Sequence, residues 1–80
     1  MKNKKKKILI TGSSGTIGTR LFEKLLEKNY DVIGFDRNHN KWSSNLNNLT
    51  IIGDLLKKED IKKMPAGIDI IVHLAANARV

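Results

Sequence analysis

The segment T-G-S-S-G-T-I-G, residues 11–18, most constrains what this chain can fold into. A short apolar run, Ile8-Leu9-Ile10, precedes it. A stretch with helical spacing follows, in which Ile17, Leu21 and Leu25 recur at i, i+4 and i+8 with Phe22 beside them. Gly12, Gly15 and Gly18 therefore sit where a strand hands over to a helix. Gly12 allows a sharp turn off the strand. Gly15 puts no Cβ in the way of a diphosphate. Gly18 lets the helix lie against the strand. The amino end of such a helix offers free N–H groups and the positive pole of its dipole to an anion. Thr11, Ser13, Ser14 and Thr16 add hydroxyl groups at the same turn. A mononucleotide P-loop is excluded, because no Gly-Lys-Ser/Thr occurs.

The remaining pattern extends this unit. Asn29 is a helix stop, and Asp31 to Phe35 reads as a second strand ending at Asp36 and Arg37. Residues 38–48 are rich in turn formers and read as a loop with room for one helical turn. Leu49 to Ile52 is a third strand. Asp54 is placed to cap a helix over Leu55 to Met64, which Pro65-Ala66-Gly67 ends. Ile68 to Ala76 is a fourth strand. Strands alternating with helices predict a parallel sheet, and near-continuous apolar strands predict that both its faces are covered. Right-handed crossovers give the order 3-2-1-4, so the predicted fold is α/β, the first four strands of a Rossmann-type sheet with two helices.

Composition narrows the classes. The chain has 80 residues, a net charge of +7 and no Cys. It is one domain at most, with no disulfide scaffold, thiolate metal site or Cys nucleophile. No apolar run is long enough to span a membrane, and no secretory signal core follows the amino terminus. These features predict a cytoplasmic location. Lys2 and Lys4 to Lys7 carry much of the charge. Without interleaved aromatics this block reads as a solvated tail over residues 1–6, not as a nucleic-acid arm.

Asp36 lies 18 residues beyond Gly18, at the end of the second strand. A carboxylate there accepts hydrogen bonds from the adenosine ribose and repels a 2′-phosphate, so NAD is expected over NADP. The adjacent Arg37 is able to pair with a phosphate or stack on adenine. Asp54 either caps the next helix or meets the adenine amino group from the crevice rim; both roles stay open. His73 reads as a satisfied core residue and not a catalytic base. No residue pattern suggests a metal site.

T-G-S-S-G-T-I-G, then F-D-R, G-D-L and H-L-A-A, in this order and spacing, resemble the extended short-chain dehydrogenase/reductase family, the NAD-dependent epimerases and dehydratases of nucleotide sugars. The likeness covers residues 7–80. It implies a Rossmann fold, bound NAD and a nucleotide-sugar substrate. By the resemblance Gly12, Gly15, Ile17 and Gly18 match the cofactor loop, Asp36 the ribose contact, Asp54 and Leu55 the adenine pocket, and Ala75 and Ala76 the cofactor-facing strand end. Ser14 and Thr16 in the loop, Arg37 beside Asp36 and Leu74 beside Ala75 are cofactor-binding candidates by their own place and chemistry. Thr16 stands where the family usually has an aromatic. The family's catalytic Tyr-x-x-x-Lys is missing, because Tyr30 is followed at the Lys position by Gly34. The chain therefore reads as the amino-terminal part of a cofactor domain, inactive alone, with no catalytic residue of its own. Its fourth-strand edge, Ile68 to Leu74, is open to pairing with a second copy. A non-catalytic NAD(P)-sensing module is the alternative, since the same fold also carries cofactor binding without chemistry.

Overall fold

The computed structural model describes residues 5–75. Its elements are β1 (Lys7–Thr11), α1 (Thr16–Glu27), β2 (Asp31–Asp36), a 3₁₀ helix (Ser44–Leu49), β3 (Thr50–Ile52), α2 (Lys58–Ile61) and β4 (Ile70–His73). The four strands form one parallel sheet in the order β3-β2-β1-β4, as the pattern predicts. The chain has the Rossmann-type α/β fold.

Register explains the core. Ile8 lies beside Val32 and Ile70, and Ile10 beside Gly34 and Val72. Paired residues of parallel strands face the same side, so these form the face that α1 covers. Phe22 and Leu46 complete the buried cluster there, with Leu25, Leu26 and Tyr30 around it. Gly34 leaves the space that Phe22 fills, since a Cβ at Gly34 would lie 2.7 Å from the Phe22 ring. On the opposite face Leu9 and Phe35 are buried, but Ile71, which pairs with Leu9, is 60% exposed.

Helix α1 ends where Asn29 predicts, and the mechanism is visible. Asn29 adopts a left-handed φ of 69°. Its N–H donates to the Leu26 carbonyl at 2.9 Å, and the Tyr30 N–H donates to the Leu25 carbonyl at 3.1 Å. This is a Schellman motif, closed by the apolar pair Leu25 and Tyr30.

Several expected boundaries move. Ile17 is not on the buried stripe; it is 72% exposed, and the buried positions of α1 are Gly18, Thr19 and Phe22. The close approach of Gly18 to the preceding turn sets which side of the helix faces inward, and Ile17 is rotated about 100° from it. The second helix shortens from Leu55–Met64 to Lys58–Ile61, and Asp54 does not cap it. The Asp54 carboxylate instead accepts the Leu56 N–H at 2.9 Å, which spends residues 54–57 on a turn. The third strand loses Leu49 to the 3₁₀ helix. The fourth strand begins at Ile70 because Asp69 turns to the neighbouring strand, its carboxylate accepting the Lys7 N–H at 2.8 Å. It ends at His73 because β1 turns away at Gly12, and the last ladder bond is Leu74 N–H to the Thr11 carbonyl at 2.9 Å. Ala76, the expected end, lies outside the described residues.

Candidate functional site

The site is built where β1 stops. Gly12 takes a φ of +75°, and a Cβ there would lie 2.6 Å from the Ala75 amide nitrogen. This position demands glycine twice, once for the left-handed turn and once for the strand passing beside it. Gly18 is excluded from bearing a side chain by backbone, since its Cβ would lie 2.8 Å from the Ser13 Cα. Gly15 differs. A Cβ there would meet only the Gly12 carbonyl, at 3.6 Å. The fold itself makes no demand on Gly15, and the space beside it belongs to a cleft.

That cleft has a volume of about 680 Å³ and lies at the carboxyl ends of the strands. Its lining brings together Gly12, Gly15, Asp36, Arg37, Asp54, Leu55, Leu74 and Ala75, all singled out by the sequence. A smaller recess of about 280 Å³ shares Gly12, Gly15 and Leu74 with it and extends over Thr16, Ile17 and Gly18. The exposed Ile17 is thus an element of this recess. Ser14 lines neither space. It is buried, and its N–H donates to the Asp36 carboxylate at 2.9 Å, tying the loop to the end of β2. Phe35, Asn38, Gly53, Leu56 and His73, to which the sequence assigns no cofactor contact, complete the lining. Gly53 had a signal, since an isolated glycine at a strand end marks a close approach. A Cβ at Gly53 would lie 2.8 Å from the Phe35 ring. Leu56, 85% exposed, had none.

The polar groups suit a diphosphate and a ribose. No side chain caps α1, and its first turn holds no acidic residue. The first helical bond runs from the Thr19 N–H to the Gly15 carbonyl, so the N–H groups of Thr16, Ile17 and Gly18 have no partner within the helix. All three of those residues line the recess with Gly15, where the helix dipole favours negative charge. The Ser13 and Ser14 hydroxyl oxygens are buried with no partner among the described residues. Asp36 accepts the Ser14 N–H on one oxygen and the Asn38 N–H, at 2.9 Å, on the other. A carboxylate has about four acceptor directions, so capacity for two ribose hydroxyls remains. These residues fit a dinucleotide.

Two expectations change at this end of the sheet. His73 is satisfied, as expected, through a 2.6 Å bond between its Nδ1 and the Thr11 hydroxyl, but it is exposed and not in the core. The reason is the bare sheet face on which Ile71 also lies. Of the two roles held open for Asp54, helix capping is absent. Its N–H donates to the Asp60 carboxylate at 2.8 Å, which holds α2 against the rim of the cleft.

A family described as NAD dependent epimerase/dehydratase matches residues 8–80. The chain belongs to this family. Among the curated relatives of the chain, a 3-beta-hydroxysteroid dehydrogenase of Mycolicibacterium neoaurum is 39% identical over 88% of the chain and 19% of its own length. An uncharacterized UDP-glucose epimerase of Bacillus subtilis is also 39% identical, over 88% of the chain and 26% of its own length. A putative UDP-glucose 4-epimerase of Methanocaldococcus jannaschii is 35% identical over 91% of the chain and 25% of its own length. The chain thus spans a fifth to a quarter of these relatives. No solved structure matches it significantly. Among the described residues no helix is long and apolar enough to cross a membrane.

Proposed function

We propose that the cleft binds NAD, and that this chain is the cofactor-holding part of a cytoplasmic oxidoreductase acting on a nucleotide sugar. One observation carries the reading. The first-turn residues of α1, whose amides have no partner within the helix, and the carboxylate of Asp36 border two neighbouring hollows that share Gly12, Gly15 and Leu74. Diphosphate oxygens accept from the amides of Thr16, Ile17 and Gly18, while Ser14 acts from beneath the cleft, its N–H holding the Asp36 carboxylate. The ribose hydroxyls donate to Asp36, with Arg37 at the rim. Adenine lies between Asp54-Leu55 and Leu74-Ala75.

NAD supplies the hydride acceptor when bound. The residues of this chain bind and orient it and take no part in proton transfer. Asp36 favours NAD over NADP, because a 2′-phosphate would meet its negative charge. The nucleotide-sugar substrate follows the UDP-glucose epimerases among the relatives. The 80-residue chain alone turns over no substrate, and pairing of copies through the β4 edge is the assembly this reading allows. It involves neither nucleic acid nor a membrane.

Gly15→Val tests the assignment. The branched side chain enters the cleft without meeting the fold, so the thermal melt of the natural protein should be retained. NAD affinity measured by calorimetry should fall at least about 100-fold, the cost of losing several charge-assisted bonds. Unchanged NAD affinity in a folded Gly15→Val protein removes the phosphate-loop assignment.

A further inference from the structure

The loop between β2 and β3 has no apolar periodicity, yet it contains one of the most buried polar residues of the molecule. Asn40 is 4% exposed. Its side-chain oxygen accepts the N–H groups of Trp42 and Ser43, each at 2.8 Å. Its backbone N–H donates to the Asn47 side chain at 2.8 Å, and its carbonyl accepts from the same amide at 3.3 Å. These bonds hold the loop to the 3₁₀ helix. They also settle the orientation of the Asn40 amide, because an oxygen that receives two N–H donors leaves the NH₂ group facing the other way.

That NH₂ group donates to the Thr19 hydroxyl at 2.8 Å. The Thr19 hydroxyl in turn donates to the Gly15 carbonyl at 2.7 Å. A continuous donor chain therefore runs from Asn40 through Thr19 into the phosphate loop, and each bond of such a chain polarises the next. Its end point matters. The carbonyl of Gly15 and the N–H of Thr16 belong to one planar trans peptide and point in opposite directions. Holding the carbonyl back toward Thr19 aims the Thr16 N–H out of the helix, into the recess that Gly15 and Thr16 border.

We propose that Asn40 and Thr19 are positioning residues for phosphate: they lock the Gly15–Thr16 peptide so that the Thr16 amide faces the diphosphate. This rests on the dinucleotide reading above and adds residues that touch no ligand. The same buried amide also anchors the loop that begins with Arg37 and Asn38 at the cleft rim. One side chain thereby couples the ribose end of the site to its phosphate end.

The test compares ADP with adenosine on the natural protein, so that phosphate recognition is separated from general loosening. Thr19→Val is nearly isosteric and removes the hydroxyl. Asn40→Asp keeps an oxygen for Trp42 and Ser43 but presents a carboxylate to Thr19, which draws the hydroxyl proton away from Gly15. The emission of Trp42, the one Trp of the chain, reports that the loop stays in place. In both variants ADP should bind about tenfold more weakly while adenosine binds unchanged, the effect of one displaced hydrogen bond. Thr19→Ser, which restores the hydroxyl, should bring ADP binding back to within about twofold of wild type. Equal loss for ADP and adenosine makes the network merely structural and overturns the proposal, as does unchanged ADP binding in Thr19→Val. A wild-type protein that binds neither ADP nor NAD overturns the dinucleotide reading together with this one.

Discussion

The two halves of this sheet are built by the same alternation of strand and helix, yet they are not equally finished. In the β1-α1-β2 half, Ile8, Leu9, Ile10, Phe22, Val32 and Phe35 are each at most 3% exposed. A 12-residue helix with a Schellman end lies across them. In the β3-α2-β4 half none of the strand residues described is buried; Ile70 is 44% and Ile71 60% exposed, and the helix has four residues. The contrast lies in what covers the sheet. α1 is long enough to place three turns on its face, whereas α2 makes one turn held at its start by the Asp54–Asp60 bond. The first half thus carries the rigidity that a phosphate loop needs, and the second contributes a rim.

The sharpest way to break this comparison is to delete one side chain from each half of the 80-residue chain. Phe22→Ala should cost about 3–5 kcal/mol, enough to abolish a cooperative melt in a domain this small. Ile71→Ala should cost less than about 1 kcal/mol, because little of that side chain leaves water. Equal losses in chemical denaturation would mean that the β4 face is covered in solution.

Asp36→Ala addresses the junction between the halves, since Asp36 accepts from the phosphate loop and from Asn38. Loss of a charge-assisted bond of about 1.5–3 kcal/mol should weaken NAD roughly 10- to 100-fold. NADP should lose less, because the repulsion of its 2′-phosphate disappears along with the carboxylate. Parallel titrations with the two dinucleotides measure the ratio. A wild type that already prefers NADP would transfer the dominant role to Arg37.

The smallest effect belongs to α2. The Asp54 N–H, and then the Lys63 ammonium, hold the Asp60 carboxyl below its ordinary value of 3.8. A folded-state value below the unfolded one contributes stability that is present above the unfolded pKa of about 4 and is lost as the pH falls through the folded value. Wild type should therefore melt slightly above Asp60→Asn at pH 6, and the lead should vanish as the pH drops below about 4 toward the folded value. A lead that persists at still lower pH would assign it to packing, not charge. The Lys63 partner is exposed and the Asp60 bond only partly buried, so the shift should be small beside that of Phe22→Ala.

Where sequence and structure agree, local physics decides. Gly12 and Gly18 sit between an apolar run and a helical stripe, and only one turn geometry uses both. Asn29 ends a helix because it tolerates a left-handed φ. The parallel order 3-2-1-4 follows from alternation and the hand of the crossovers. The chain order of the cleft residues is equally local, because strand ends in a parallel sheet all face one crevice. What remained hidden depends on contacts distant in sequence. Ile17 shows only periodicity in the sequence; its exposure is decided by Gly18 pressing on Ser13. Asp54 has the right chemistry for a helix cap, but Asp60 reaches its amide and a turn forms instead. Leu46 and Asn40 lie in a stretch without period, and their burial arises because that loop folds back over α1. Periodicity reports which side of an element faces its own neighbours. Only the assembled sheet decides which loop closes over the helix, and that closure buries Asn40 beside Thr19, four residues from Gly15.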